Sequence, residues 1–121
     1  MEQQAVFQAS PLGIVVICDR RIVKANTRLG ELYGRSLQDL QTHVVDQLFA
    51  HADEAHLFAE ESRDTLKAGK TWSGVYRMRR ADRSEFWGEL SGRMMPNDGH
   101  QRSVWTVADV SLRVEPKSAE Y

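Results

Sequence analysis

The side chains able to do chemistry in this chain are scattered along it. Its 4 histidines are His43, His51, His56 and His100, and no two of them show the spacing of a metal site. His43 and His100 fall in loops and read as exposed. Glu60 and Glu61 form an acid pair in sequence, and Arg79 and Arg80 a basic one, but both pairs read as solvated faces. Serine, histidine and aspartate are all present, yet no strand-turn-helix elbow or glycine loop presents a nucleophile to a base. Cys18, the 1 cysteine, has no second thiol for a disulfide or a zinc site, which points to a reducing compartment. Catalysis is therefore not expected of this chain.

Composition narrows the field further. With 121 residues there is room for one domain around one hydrophobic core. A formal net charge of -1 gives no bias toward nucleic acid or an anionic membrane surface. The longest apolar run, Ile14 to Cys18, falls far short of the roughly 18 to 20 residues that span a bilayer. A cytoplasmic location is expected.

The elements that must position any site follow from periodicity. Glu2 to Ala9 reads as a short helix with Val6 and Phe7 on its apolar side, ended by Ser10-Pro11. Ile14 to Cys18 and Ile22 to Ala25 are β-branched runs around a tight turn, a hairpin. Asn26 is suited to cap a helix from Thr27 to Tyr33, and Gly34 to stop it. Ser36 begins a second short helix through Leu40, and Val44 to Phe49 shows one turn of helical spacing. A longer helix runs from Asp53 to Ala68, with Leu57, Phe58, Glu61, Thr65 and Leu66 on its packed face and Gly69 as its stop.

After Gly69 the period changes to two. Trp72 to Arg79, Glu85 to Met94 and Arg102 to Val110 read as three strands, joined at Ala81-Asp82-Arg83-Ser84 and at Pro96-Asn97-Asp98-Gly99. Two strands, three helices and three strands fit an α+β fold, a five-stranded antiparallel sheet with helices packed on one face. Such a layer leaves a hollow for a ligand. The expected organisation is a lead-in helix over residues 1–11, a domain over 12–113 and a linker or tail over 114–121.

These residues resemble the PAS family over nearly the whole chain. The resemblance is carried by Phe7 with Ser10-Pro11-Leu12-Gly13-Ile14, Arg21 to Asn26, Leu32-Tyr33-Gly34 and Ser36 to Leu40. It continues through Trp72-Ser73-Gly74, Arg79 to Asp82, Phe86-Trp87, and Asp109-Val110-Ser111-Leu112-Arg113. The stretch Glu85 to Arg93, with Ser103-Val104-Trp105, is most similar to PAS modules that precede diguanylate cyclase (GGDEF) domains in bacterial signalling proteins. Where relatives carry Asp-Gly, this chain has Asp82-Arg83-Ser84, so a longer or bulged turn is expected there. Pro116 departs from the continuous signalling helix of most relatives.

The resemblance implies a sensory module with no catalysis of its own, regulating an attached output domain. It implies a pocket lined by Val16 and Cys18 on the first strand, Phe86, Gly88 and Leu90 on the middle meander strand, and Trp105 and Val107 on the last. Gly88 is expected to leave a void. It also implies a signal exit at Asp109, Ser111 and Arg113, with Asp109 bonding turn amides or a neighbouring arginine. No cofactor is evident. Photoactive flavin is disfavoured because Val44-Val45-Asp46-Gln47 lacks the required cysteine, and haem because His56 sits one residue from the place of the proximal histidine. A small uncharged or largely apolar ligand is expected, or none if the side chains fill the space. The outer sheet face, with Trp87, Glu89, Ser91, Val104 and Thr106, carries apolar area that Val6 and Phe7 or a second copy would cover, so a homodimer is expected. The alternatives are a structural protein-interaction domain without ligand and a haem sensor.

Overall fold

The computed structural model describes residues 2–95 and 101–112. Helix α1 (Glu2–Ala9) precedes strands β1 (Gly13–Cys18) and β2 (Arg21–Ala25). Helices α2 (Thr27–Tyr33) and α3 (Leu37–Leu40), a single 3-10 turn (Val45–Leu48) and helix α4 (Ala52–Lys67) follow. Strands β3 (Trp72–Arg79), β4 (Glu85–Met94) and β5 (Ser103–Asp109) complete the chain. The expected Pro96 to Gly99 turn, His100, Arg113 and the tail lie outside the described residues.

The five strands form one antiparallel sheet in the order β2-β1-β5-β4-β3. The last strand thus lies at the centre, between the two hairpins. In the β1-β2 turn Asp19 and Arg20 both have positive φ, 53° and 64°, a twist that matches paired strands. The β3-β4 turn is of the bulged kind. Arg83 alone in it takes a positive φ, 74°, and the Asp82 carboxylate accepts from the Ser84 amide at 2.9 Å.

Asn26 joins three elements. It is 0% exposed, and its Oδ1 accepts from the amides of Ile14 (2.8 Å) and Leu29 (3.0 Å). Its Nδ2 donates to the carbonyls of Phe7 (2.8 Å) and Leu12 (3.0 Å). The expected helix cap is therefore also the tie between α1, β1 and α2. Gly13 lets α2 approach β1 closely, since a Cβ there would lie 2.8 Å from Leu29 Cδ1.

The chain between α3 and α4 straps the sheet from edge to edge. Val45 N–H donates to the Arg20 carbonyl at 2.7 Å beside edge strand β2. Ala50 N–H donates to the Arg77 carbonyl at 2.9 Å beside edge strand β3, and Glu54 accepts from Arg77 N–H at 2.8 Å. The outward amide and carbonyl of Arg77, which would otherwise invite another strand, are thereby occupied.

Helix α4 buries Ala55, Phe58 and Ser62, a stripe at i, i+3 and i+7. Leu57, expected on that stripe, is 44% exposed, because one residue turns a helical side chain about 100°. On the opposite side of the sheet, the Lys24 ammonium sits 4.7 Å from the centre of the Phe7 ring. Lys24 pairs with Val16, so α1 reaches the outer face there. Among the described residues no helix is long and apolar enough to cross a membrane.

Candidate functional site

Between sheet and helices lies a small apolar cavity of about 20 Å³. Its floor is Val15 and Ile17 of β1, Met78 of β3, Leu90 of β4, and Trp105 and Val107 of β5. Tyr33 of α2, the strap residues Val45, Leu48 and Phe49, and Phe58 of α4 close it. The aromatic rings interlock. Phe58 meets Trp105 edge to face at 4.8 Å between centroids, Phe49 and Phe58 are 5.4 Å apart, and Tyr33 meets Phe86 at 5.3 Å.

Of the residues that the resemblance implies for a pocket, Leu90, Trp105 and Val107 line this cavity. Phe86 and Gly88 are buried on the inward face of β4 but sit outside the lining. The void expected at Gly88 is filled, since a Cβ there would lie 2.8 Å from Met78 Cγ. Val16 and Cys18 require a correction: Val15 and Ile17 of β1 face the cavity instead. The pairing is the reason, because Val15 stands opposite the inward Trp105 while Val16 stands opposite Val104 on the outer face.

Gly92 was not anticipated. It stands directly opposite Trp105, and a Cβ there would overlap the indole at Cδ2 and Cε3. The large ring thus occupies the space that a side chain at 92 would need. A glycine two pairs along the inward face from Gly88 is the sequence signal, but its partner becomes visible only once the register is known.

The cavity wall is chemically sparse. Trp105 Nε1 donates to Ser103 Oγ at 2.8 Å. Nearby, Trp72 Nε1 donates to the Tyr76 hydroxyl at 3.2 Å, which donates to Glu61 at 2.7 Å. The Tyr33 hydroxyl is buried without a hydrogen-bond partner among the described residues. Burial pushes both phenols well above the ordinary tyrosine value of 10.0, with the Glu61 bond adding to the shift at Tyr76. His51, the N-cap of α4, and His56, past its first turn, are both exposed, and neither lines the cavity. Among the described residues no group of three or more His, Cys, Asp and Glu side chains could hold a metal ion.

The end of β5 is tied on three sides. Asp109 accepts from an Arg80 guanidinium N–H at 3.0 Å and from the Ser111 amide at 3.0 Å. Ser111 Oγ in turn accepts from the Trp87 amide at 3.0 Å, and Val110 N–H donates to the Trp87 carbonyl at 2.8 Å. Arg80 also donates through Nε to the Leu32 carbonyl at 3.1 Å, at the end of α2. Its guanidinium lies 4.5 Å over the Phe86 ring.

The sequence model of the PAS fold matches residues 22–109, which take in strands β2 to β5 and helices α2 to α4. The chain belongs to the PAS family. Its fold is shared with the PAS domain of a LuxR-family transcriptional regulator from Burkholderia thailandensis, solved in complex with ethanol. That domain is 26% identical, with a TM-score of 0.80, over 92% of this chain and 99% of that one. A PAS domain from Colwellia psychrerythraea, 23% identical, superposes with a TM-score of 0.81 over 93% of this chain and 97% of that one. Among curated proteins, the sensor protein TdiS of Thauera aromatica is 25% identical over 109 residues, 89% of this chain. The chain spans 20% of the length of that sensor protein. It is thus a PAS sensory domain of the type found in signalling proteins, and its sheet and covering helices are those of a PAS module.

Proposed function

We propose that this PAS domain detects a small, uncharged, largely apolar molecule in the hollow and relays its presence to an attached output domain. The observation that carries this reading is that Trp105 and Val107 line the hollow on β5, the strand whose end holds the Asp109 and Ser111 tie. A shift of β5 on ligand entry would strain the exit through a single rigid element. Regulation needs a difference in ligand affinity between two conformations of about 1 to 3 kcal/mol. The ethanol complex of the Burkholderia relative supports a ligand of this kind. From the resemblance of Glu85 to Arg93, the output domain is a diguanylate cyclase in a cytoplasmic bacterial signalling protein. The domain works as a homodimer through Val6, Phe7 and Trp87 on the outer sheet face.

A structural dimerisation module with a filled core is the second reading, favoured by the small cavity of about 20 Å³. Nuclear magnetic resonance of the chain under xenon pressure separates the two. The sensory reading expects shifts at cavity residues and at Val110 and Ser111, whereas an unresponsive spectrum would leave the structural one. Sedimentation over a range of concentrations tests the dimer, and a monomer at all of them removes that part.

A further inference from the structure

We infer that the mouth of the hollow lies between Ile17 and Val45, and that the Arg20–Asp46 ion pair beside it latches the strap and sets how fast an apolar ligand enters and leaves. This rests on the sensory reading of the hollow and adds to it the place and control of entry.

The hollow comes near solvent at one place. Of its described lining residues, Ile17 of β1 and Val45 of the strap are half-buried, and all the others are buried. The β1-β2 turn meets the start of the strap here, where Val45 N–H donates to the Arg20 carbonyl at 2.7 Å. Arg20 also holds the next strap residue through its side chain. Its guanidinium donates through Nε to Asp46 Oδ1 at 3.3 Å and through a terminal nitrogen to Oδ2. One turn residue thus grips the strap by backbone and by charge, beside the half-buried pair.

The two ends of the strap are held unequally. At the β3 end Leu48, Phe49 and Ala50 are buried, and the Phe49 ring packs on Phe58 and Tyr76. The amide and carbonyl of Arg77 are both bonded there as well. Opening that end would bring apolar surface into water, at a cost that grows with its area. At the β2 end Val44, Val45 and Asp46 are only half-buried, and the Arg20 and Asp46 side chains are 73% and 33% exposed. Water can take over their hydrogen bonds, so this end opens at the lower cost. The strap therefore turns about Phe49 and Ala50 and lifts at Val45, uncovering Ile17. A pair this exposed holds weakly, as a latch that must release requires.

The test compares the unsubstituted chain with Asp46→Ala and Arg20→Gln, each of which removes one partner of the latch and keeps the Arg20 carbonyl. Nuclear magnetic resonance reads two rates, the exchange of xenon between hollow and solvent and the hydrogen exchange of the Val45 and Ala50 amides. The latch predicts that in both variants xenon and the Val45 amide exchange about two- to fivefold faster, the worth of one exposed ion pair, with Ala50 unchanged. Salt at about 1 M, which shortens the screening length to about 3 Å, is expected to speed the unsubstituted chain and leave the variants as they are. Glu31→Gln, which breaks the exposed pair with Arg28 on α2, is expected to change neither rate. Xenon that binds but exchanges equally fast in all of these proteins would overturn the latch and leave the hollow as a ligand site. An Ala50 amide that speeds up as much as that of Val45 would overturn the position of the mouth. If xenon did not bind the unsubstituted chain, the latch and the sensory reading would fall together.

Discussion

Trp105 of β5 and Gly92 of β4 are direct partners across the ladder, and the indole fills the space that any β-carbon at 92 would take. The backbone carbonyl of Val104 closes the same space, so moving the indole aside would not by itself make room for a β-carbon. Gly92→Ala is expected to destabilise the domain by about 1 to 3 kcal/mol, the range for overpacking a well-filled core. Urea unfolding followed by tryptophan fluorescence measures it. An unchanged midpoint would mean that the ring does not lie where the ladder places it.

Asn26 makes four hydrogen bonds, two as donor and two as acceptor. Asn26→Asp keeps the shape but turns the donor end into an oxygen facing the carbonyls of Phe7 and Leu12. The expected loss is about 2 kcal/mol or more at neutral pH, since a buried group loses its partners and faces repulsion. Thermal unfolding at pH 7 checks it, and an unaltered transition would contradict the tie between α1, β1 and α2.

Much of this fold could be read from residues alone. The β-branched runs, the Asn26 and Ser36 caps and Gly34 marked their elements because each acts within a few residues of itself. The side chains of β1 show where that reading stops. Val15 and Val16 are both buried, at 3% and 9% exposure, so period two gives no phase and the pairing with β5 must decide it. The cavity lining was partly hidden for the same reason. Phe49, Phe58, Met78 and Tyr33 come from four separated segments that only tertiary packing brings together.

Arg80 and Asp109, both about 30% exposed, join the β3-β4 turn to the end of β5. A double-mutant cycle of Arg80→Ala and Asp109→Ala is expected to give a coupling of about 0.5 to 1 kcal/mol, the scale of a partly exposed pair. Additive effects would show that the pair does not hold the exit.

Tyr33→Phe removes a buried hydroxyl that has no hydrogen-bond partner among the described residues, so the variant is expected to be more stable by about 1 kcal/mol. The alkaline limb gives a second signature. The folded state holds Tyr33 and Tyr76 protonated above their ordinary value of 10.0, so above that pH the unfolded chain releases protons that the folded one keeps. Stability is then full below about pH 10 and falls as the pH rises further, with a shallower fall in Tyr33→Phe. Tyrosinate absorbance that rises near pH 10 for both residues, without unfolding, would contradict their burial.

The central claim is that occupancy of the hollow is felt at the end of β5. Hydrogen exchange of the Trp87, Val110 and Ser111 amides, measured with and without a saturating pressure of xenon, tests it most directly. Occupancy is expected to change their protection at least as much as that of the β1-β2 hairpin. Exchange at these amides that stays the same while cavity residues respond would break the link from ligand to output.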